Sequence, residues 1–125
     1  MSDREFPVTI YHNPNCGTSR STLAAIRAAG YEPQVVEYMK TGWDRPLLDK
    51  LLADSGLKPR DLLRAKEAKA AELEGASDEA VLQAMVENPV LVNRPIVVTP
   101  KGARLCRPAE QVFELLEQGP RATNL

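Results

Sequence analysis

The residues whose types and spacing fit them for chemistry gather in Tyr11-His12-Asn13-Pro14-Asn15-Cys16-Gly17-Thr18-Ser19-Arg20. Val8-Thr9-Ile10-Tyr11 has the β-branched and aromatic character of a strand, while Leu23, Ile26 and the alanines after Ser19 recur at helical spacing up to Gly30. Cys16 therefore falls in a strand-to-helix turn. The first N–H groups of a helix have no intrahelical partner and the helix dipole is positive there, so a thiolate is favoured and an oxyanion can be held. Cysteines in such settings become nucleophiles. The plain alternative, a small buried apolar residue, sits poorly with Asn13, Asn15, Thr18, Ser19 and Arg20 crowding the turn with donors. Ser19 completes a Cys-x-x-Ser pattern, so a mixed disulfide on Cys16 has no thiol within the motif to resolve it and needs one from outside.

Four other side chains bear on the same chemistry. His12, the only histidine, precedes Cys16 by four residues, where it can lower the thiol pKa electrostatically or orient the turn. Arg94 precedes Pro95 and a strand-like run, Arg107 follows Cys106 at a strand end, and Arg64 closes Leu62-Leu63. Singly, each reads as a solvated surface charge in a chain with 16 basic residues. Together they offer the planar, permanently charged forks that a tetrahedral oxyanion wants. Cys106 reads as a packing residue rather than a resolving thiol, and Trp43 as packing. One histidine and two distant cysteines make no metal-ligand set, so no metal and no tightly bound cofactor are expected.

The elements that must position these residues follow from the pattern. Gly30 and Pro33 end the first helix, and Gln34 to Tyr38 reads as a second strand, completing a β-α-β unit with parallel strands. That places the Cys16 turn at the carboxyl ends of the strands, where α/β folds bind ligands. From Asp44 the pattern turns helical: Asp44 caps, Pro46 fits the first helical position, and Leu47, Leu48, Leu51 and Leu52 form a stripe ended by Gly56. Lys58-Pro59 opens a short helix, an alanine-, lysine- and glutamate-rich exposed run follows to Gly75, and Ser77 caps a helix that Asn88-Pro89 closes. Ile96 to Thr99, the turn Pro100-Lys101-Gly102 and Ala103 to Cys106 read as an antiparallel hairpin. Pro108 and Glu110 open a last helix ending at Gly119-Pro120. The expectation is an α/β thioredoxin-like fold with a mixed central sheet, ordered β-α-β, helical insertion, β-β-α. It is one domain over 1–125, with the insertion at about 44–89 and a short flexible tail at 120–125.

Composition narrows the function classes. The 125 residues, 43% of them hydrophobic, suit a single core. A net charge of -1 and a pI near 5.9 give no general attraction to nucleic acid or an anionic membrane, so anion affinity must come from local arginines. No apolar run approaches a membrane span, and Met1-Ser2-Asp3-Arg4-Glu5 lacks the basic-then-apolar form of a signal peptide. A cytoplasmic protein with free thiols is expected.

The sequence resembles the glutaredoxin-coupled arsenate reductases of the ArsC family. The likeness rests on Ile10 to Arg20, on Leu62-Leu63-Arg64, on Asn93-Arg94-Pro95-Ile96-Val97-Val98-Thr99-Pro100, and on Gly102 and Arg104-Leu105-Cys106-Arg107-Pro108. The resemblance implies reduction of arsenate to arsenite, with Cys16 attacking arsenic, Gly17, Thr18 and Ser19 at the substrate, and Arg64, Arg94 and Arg107 holding the oxyanion. It implies that His12 helps to activate the thiol, and that glutathione is co-substrate and glutaredoxin partner. Two other readings share the fold. A Spx-type transcriptional regulator usually carries Cys-x-x-Cys, which Ser19 removes; a glutathione-dependent thiol reductase leaves three arginines without a task.

Overall fold

The computed structural model describes residues 6–117, so the expected end of the last helix at Gly119-Pro120 and the tail at 120–125 lie outside the described residues. The chain divides into two compact units, one made from the residues up to Glu37 and from Arg94 onward, the other spanning Tyr38–Asn93.

The first unit is built on a four-stranded mixed sheet in the order β2-β1-β3-β4. Strand β1 is Thr9–His12, β2 Gln34–Glu37, β3 Ile96–Thr99 and β4 Gly102–Leu105. β1 runs parallel to β2 and antiparallel to β3, which pairs antiparallel with β4. This is the thioredoxin-like arrangement expected from the element order. Helix α1, Gly17–Ala28, makes the crossover from β1 to β2. Ile10 and Val97 are register partners, so they project to the same face, and both are fully buried. With Val8, Ile26, Ala29, Cys106, Val112, Leu115 and Leu116 they form one core.

The register explains where a site can form. Tyr11, the penultimate residue of β1, is opposite Ile96, which opens β3 and in turn faces Leu105, the last residue of β4. The exit of β1, the entry of β3 and the exit of β4 therefore share one end of the sheet. Residues 13–16, Arg94-Pro95 and Cys106-Arg107 are drawn there by three separate segments of chain.

The last element departs from expectation. It is a 3₁₀ helix, Ala109–Leu115, rather than an α-helix. Its buried Val112 and Leu115 are three residues apart, and in a 3₁₀ helix positions i and i+3 eclipse, so both reach the core from one face. Both the Arg94-Pro95 and Arg107-Pro108 peptide bonds are cis.

The second unit is helical: α2 Tyr38–Thr41, α3 Arg45–Ser55, α4 Pro59–Leu62, α5 Ala68–Ala71 and α6 Asp78–Glu87, followed by a 3₁₀ turn, Pro89–Leu91. It starts before and ends after the expected 44–89. Tyr38, assigned to the second strand by its type, instead opens α2, fully buried and stacked on Trp43 with ring centroids 5.0 Å apart. Trp43 also donates from Nε1 to the Pro89 carbonyl at 3.2 Å, tying the start of the unit towards its end. Asp44 caps α3 by accepting from Leu47 N–H at 2.8 Å, and Ser77 caps α6 by accepting from Ala80 N–H at 3.1 Å; such caps contribute about 1 kcal/mol each. The alanine-rich run is exposed except at the half-buried Glu67 and where Ala70 and Leu73 turn inward.

Candidate active site

Cys16 is the N-cap residue of α1, in extended conformation (φ -105, ψ 122). The turn before it is held from within: Cys16 N–H donates to the Asn13 carbonyl at 3.0 Å and Asn15 N–H to Asn13 Oδ1 at 2.9 Å. The Arg20 guanidinium, one helical turn on, reaches back from Nη1 to the Pro14 carbonyl at 2.8 Å. Thr22, fully buried, donates its hydroxyl to the Thr18 carbonyl at 2.8 Å.

Two arginines meet the thiol from the other side of the sheet end. Arg107 places Nη1 3.7 Å from Cys16 Sγ and donates from the same nitrogen to the Arg94 carbonyl at 2.8 Å. Burial pushes the thiol up. Against it act the Ser19 N–H at the third helical position, hydrogen bonding from Arg94 and Arg107, and the Arg94 charge, and together they prevail. The Cys16 pKa falls from 9.0 to about 7. A large fraction of thiolate at neutral pH is the result.

His12 acts differently from a charge partner. Burial lowers its pKa below 6.5; Glu37 pulls it up while Arg20 and Arg27 push it further down, so at pH 7 the ring is neutral. Its Nδ1 lies 2.6 Å from Ser19 Oγ, a hydrogen bond whose donor is set by the imidazole tautomer, and Ser19 Oγ also accepts from Asn13 N–H at 3.0 Å. The fully buried Ser19 side chain thus stitches the end of β1 to the first turn of α1 and holds the Cys16 turn between them. What Ser19 has left to offer an oxyanion is its backbone N–H. Gly17 and Thr18 supply the preceding helix-start N–H groups, with Gly17 exposed and Thr18 half-buried.

Arg64 stands in the second unit, anchored there by three contacts. Its N–H donates to the Leu91 carbonyl at 2.7 Å, its Nη1 to Asn93 Oδ1 at 3.2 Å, and its Nε lies 3.5 Å from Glu67 Oε2. Sequence reading missed Glu67 as its partner, although the i, i+3 spacing was there to be read. Of the predicted site residues, the first unit brings together Cys16, Arg94 and Arg107, with His12 and Ser19 beneath them. Cys106 is fully buried in the core and its thiol is pushed up to about 12, chiefly by burial, as suits the packing role expected of it. No group of side chains suited to hold a metal ion occurs among the described residues.

The mixed sheet with its β-α-β start places the protein among the α/β thioredoxin-like folds, here with a thiol at the first helix start flanked by guanidinium groups. The comparisons specify which family. The ArsC family profile matches residues 11–115, and the chain belongs to that family. It is 56% identical over 117 residues to the arsenate reductase ArsI2 of Synechocystis sp., covering 90% of this chain and 84% of the relative. It is 50% identical over 113 residues to the arsenate reductase of Escherichia coli K12, covering 87% and 80%. Among solved structures, the arsenate reductase from Vibrio cholerae superposes with a TM-score of 0.84 at 43% identity, covering 89% of this chain and 98% of that one.

Proposed function

We propose that the protein reduces arsenate to arsenite through a Cys16 thiol-arsenate adduct, with glutathione and glutaredoxin supplying the electrons. The observation that carries the reading is the Arg107 guanidinium 3.7 Å from a thiol whose pKa lies at about 7. An arsenate dianion repels a thiolate unless cations neutralise it. Arg94, Arg107 and the start of α1 supply positive charge at the reacting sulfur. The resemblance adds Arg64 to the set that holds the oxyanion.

Cys16 Sγ forms a bond to arsenic as one arsenate oxygen, protonated, leaves as water. The glutathione sulfur then adds to arsenic with loss of a second water. A glutaredoxin thiolate attacks the glutathionyl sulfur, and the sulfur–arsenic bond breaks with its electron pair remaining on arsenic, now arsenic(III). The two electrons come from two thiols, which leave joined as the glutaredoxin–glutathione disulfide. Water cleaves the Cys16–arsenic bond to free arsenite and the thiol. Ser19 at the last position of Cys-x-x-Ser is consistent with this use of outside thiols.

The test is NADPH consumption with arsenate, glutathione, glutaredoxin and glutathione reductase, omitting each in turn. Consumption that requires arsenate and both thiol partners, and that disappears in Cys16→Ser, supports the reading. Folded protein with an alkylatable Cys16 and no arsenate-dependent consumption refutes it.

A further inference from the structure

Beside the reacting thiol lies an open groove of about 610 Å³, within the range of about 300–1,000 Å³ usual for small-molecule clefts. One wall is the first turns of α1, with Gly17, Thr18 and Arg20; the other is the start of the 3₁₀ helix, with Pro108 and Glu110. Its head reaches the chemistry from both sides. Gly17 is bonded to Cys16, and Pro108 to Arg107, whose guanidinium stands 3.7 Å from Cys16 Sγ. The Arg20 guanidinium is fixed by its bond to the Pro14 carbonyl at 2.8 Å, and its Nη2 lies 3.8 Å from where a Cβ on Gly17 would stand. Arg20 and Glu110 are both exposed, so one groove carries a cation on one wall and a carboxylate on the other. The cavity in the second unit has no such character: its Arg60 is spent on the Leu73 and Ala76 carbonyls, and no nucleophile lines it.

We propose that this groove is the docking site for glutathione, a deepening that rests on the reading under Proposed function. Glutathione is a zwitterionic tripeptide with an ammonium and a carboxylate at its γ-glutamyl end, a second carboxylate at its glycyl end, and a thiol between them. Arg20 pairs with a carboxylate and Glu110 with the ammonium, leaving the thiol at the head of the groove beside Cys16. Gly17, which has no side chain, lets a peptide main chain approach the wall of the groove closely. Arg94 and Arg107 remain with the oxyanion, so the two substrates occupy adjoining places without competing for one cation.

The experiment needs neither arsenate nor glutaredoxin. The Cys16 thiolate attacks one sulfur of glutathione disulfide; that disulfide breaks, a Cys16–glutathione disulfide forms, and one glutathione leaves as thiolate. The same exchange with 2-hydroxyethyl disulfide lacks the charged groups. The ratio of the two rates is compared between the native protein and Arg20→Gln, Glu110→Gln and the double variant, in a Cys106→Ser background. Each single substitution is expected to lower the ratio about fivefold and the double more than tenfold, with the hydroxyethyl rate and the Cys16 pKa held as the check on a disturbed turn. A ratio unmoved in the double variant overturns the proposal. If arsenate turnover is absent but the ratio falls, the groove stands and the arsenate reading fails; if turnover is present and the ratio is unmoved, the reverse holds.

Discussion

Replacing Arg107 by alanine removes a guanidinium 3.7 Å from Cys16 Sγ and the hydrogen bond that it gives the Arg94 carbonyl at 2.8 Å. Two unit charges at that separation attract by about 1 kcal/mol in a water-like medium and about 4.5 kcal/mol at an effective dielectric of about 20. The smaller figure corresponds to somewhat under one pH unit in the thiol pKa and the larger to about three. The whole displacement of the thiol, from 9.0 to about 7, is shared with Ser19 N–H and Arg94 and opposed by burial, so the lower end applies. Arg107→Ala is expected to raise the Cys16 pKa by about one pH unit, cutting the thiolate fraction at pH 7 from about a half to about a tenth. The assay is the pH dependence of alkylation by iodoacetamide, a neutral reagent, in Cys106→Ser protein. The midpoint rather than the rate is read, because the substitution also opens access to the sulfur. Arg107→Lys separates charge from shape: it keeps the midpoint near the native one, yet weakens oxyanion binding because an ammonium cannot present a bidentate fork. An alanine variant with an unmoved midpoint refutes the electrostatic account.

Further expectations follow from particular contacts. Ser19→Ala removes the link between His12 and Asn13 and leaves buried polar groups without their partner; urea unfolding should show a loss of about 1–3 kcal/mol, together with a raised Cys16 midpoint as the turn loosens. Cys106→Ser should retain arsenate-dependent turnover, since a hydroxyl takes the thiol's place near the Arg104 carbonyl and the buried sulfur is outside the reaction; a folded but inactive variant contradicts the one-cysteine mechanism. The Cys106 thiol is raised in the folded state, so the stability from burying it neutral is complete below 9.0 and lost as pH climbs towards about 12; thermal unfolding across that window should fall more steeply in native protein than in Cys106→Ser. Asp44→Ala should cost about 1 kcal/mol in helix stability, read by chemical unfolding followed at Trp43.

The site was legible where local pattern and chemistry agree. The apolar run Val8 to Tyr11, the donor-rich turn and the helical spacing after Ser19 locate Cys16 at a helix start without tertiary information. The Pro100-Lys101-Gly102 turn fixes the hairpin, and the hairpin brings Arg94 and Arg107 to one end of the sheet. Tyr38 was not legible because its aromatic type suits a strand, whereas its helix is decided by burial against Trp43. The 3₁₀ form of Ala109–Leu115 was hidden because Val112, Leu115 and Leu116 satisfy the spacing of an α-helix equally well. His12 stands four positions before Cys16, a spacing that left open whether it acts on the thiol or orients the turn; the structure gives the ring to Ser19, seven residues on, a contact created by the β1-to-α1 turn. The anchoring of Arg64 on Asn93, 29 residues away, depends on how the second unit closes, which no local pattern encodes.

The closure of the sheet has a bearing on biosynthesis. Cys16 is made early, but Arg94 and Arg107 come 78 and 91 positions later, after the whole of the 38–93 unit. While the chain is still growing, the cysteine has neither guanidinium beside it, so of the groups that lower its pKa only the nearby Ser19 N–H is within local reach. When β3 and β4 add to β1, Arg94 and Arg107 join the Ser19 N–H at the sulfur and complete its activation. Part of the thiol's activation is thereby written as a long-range contact that cannot form until residue 107 has been made.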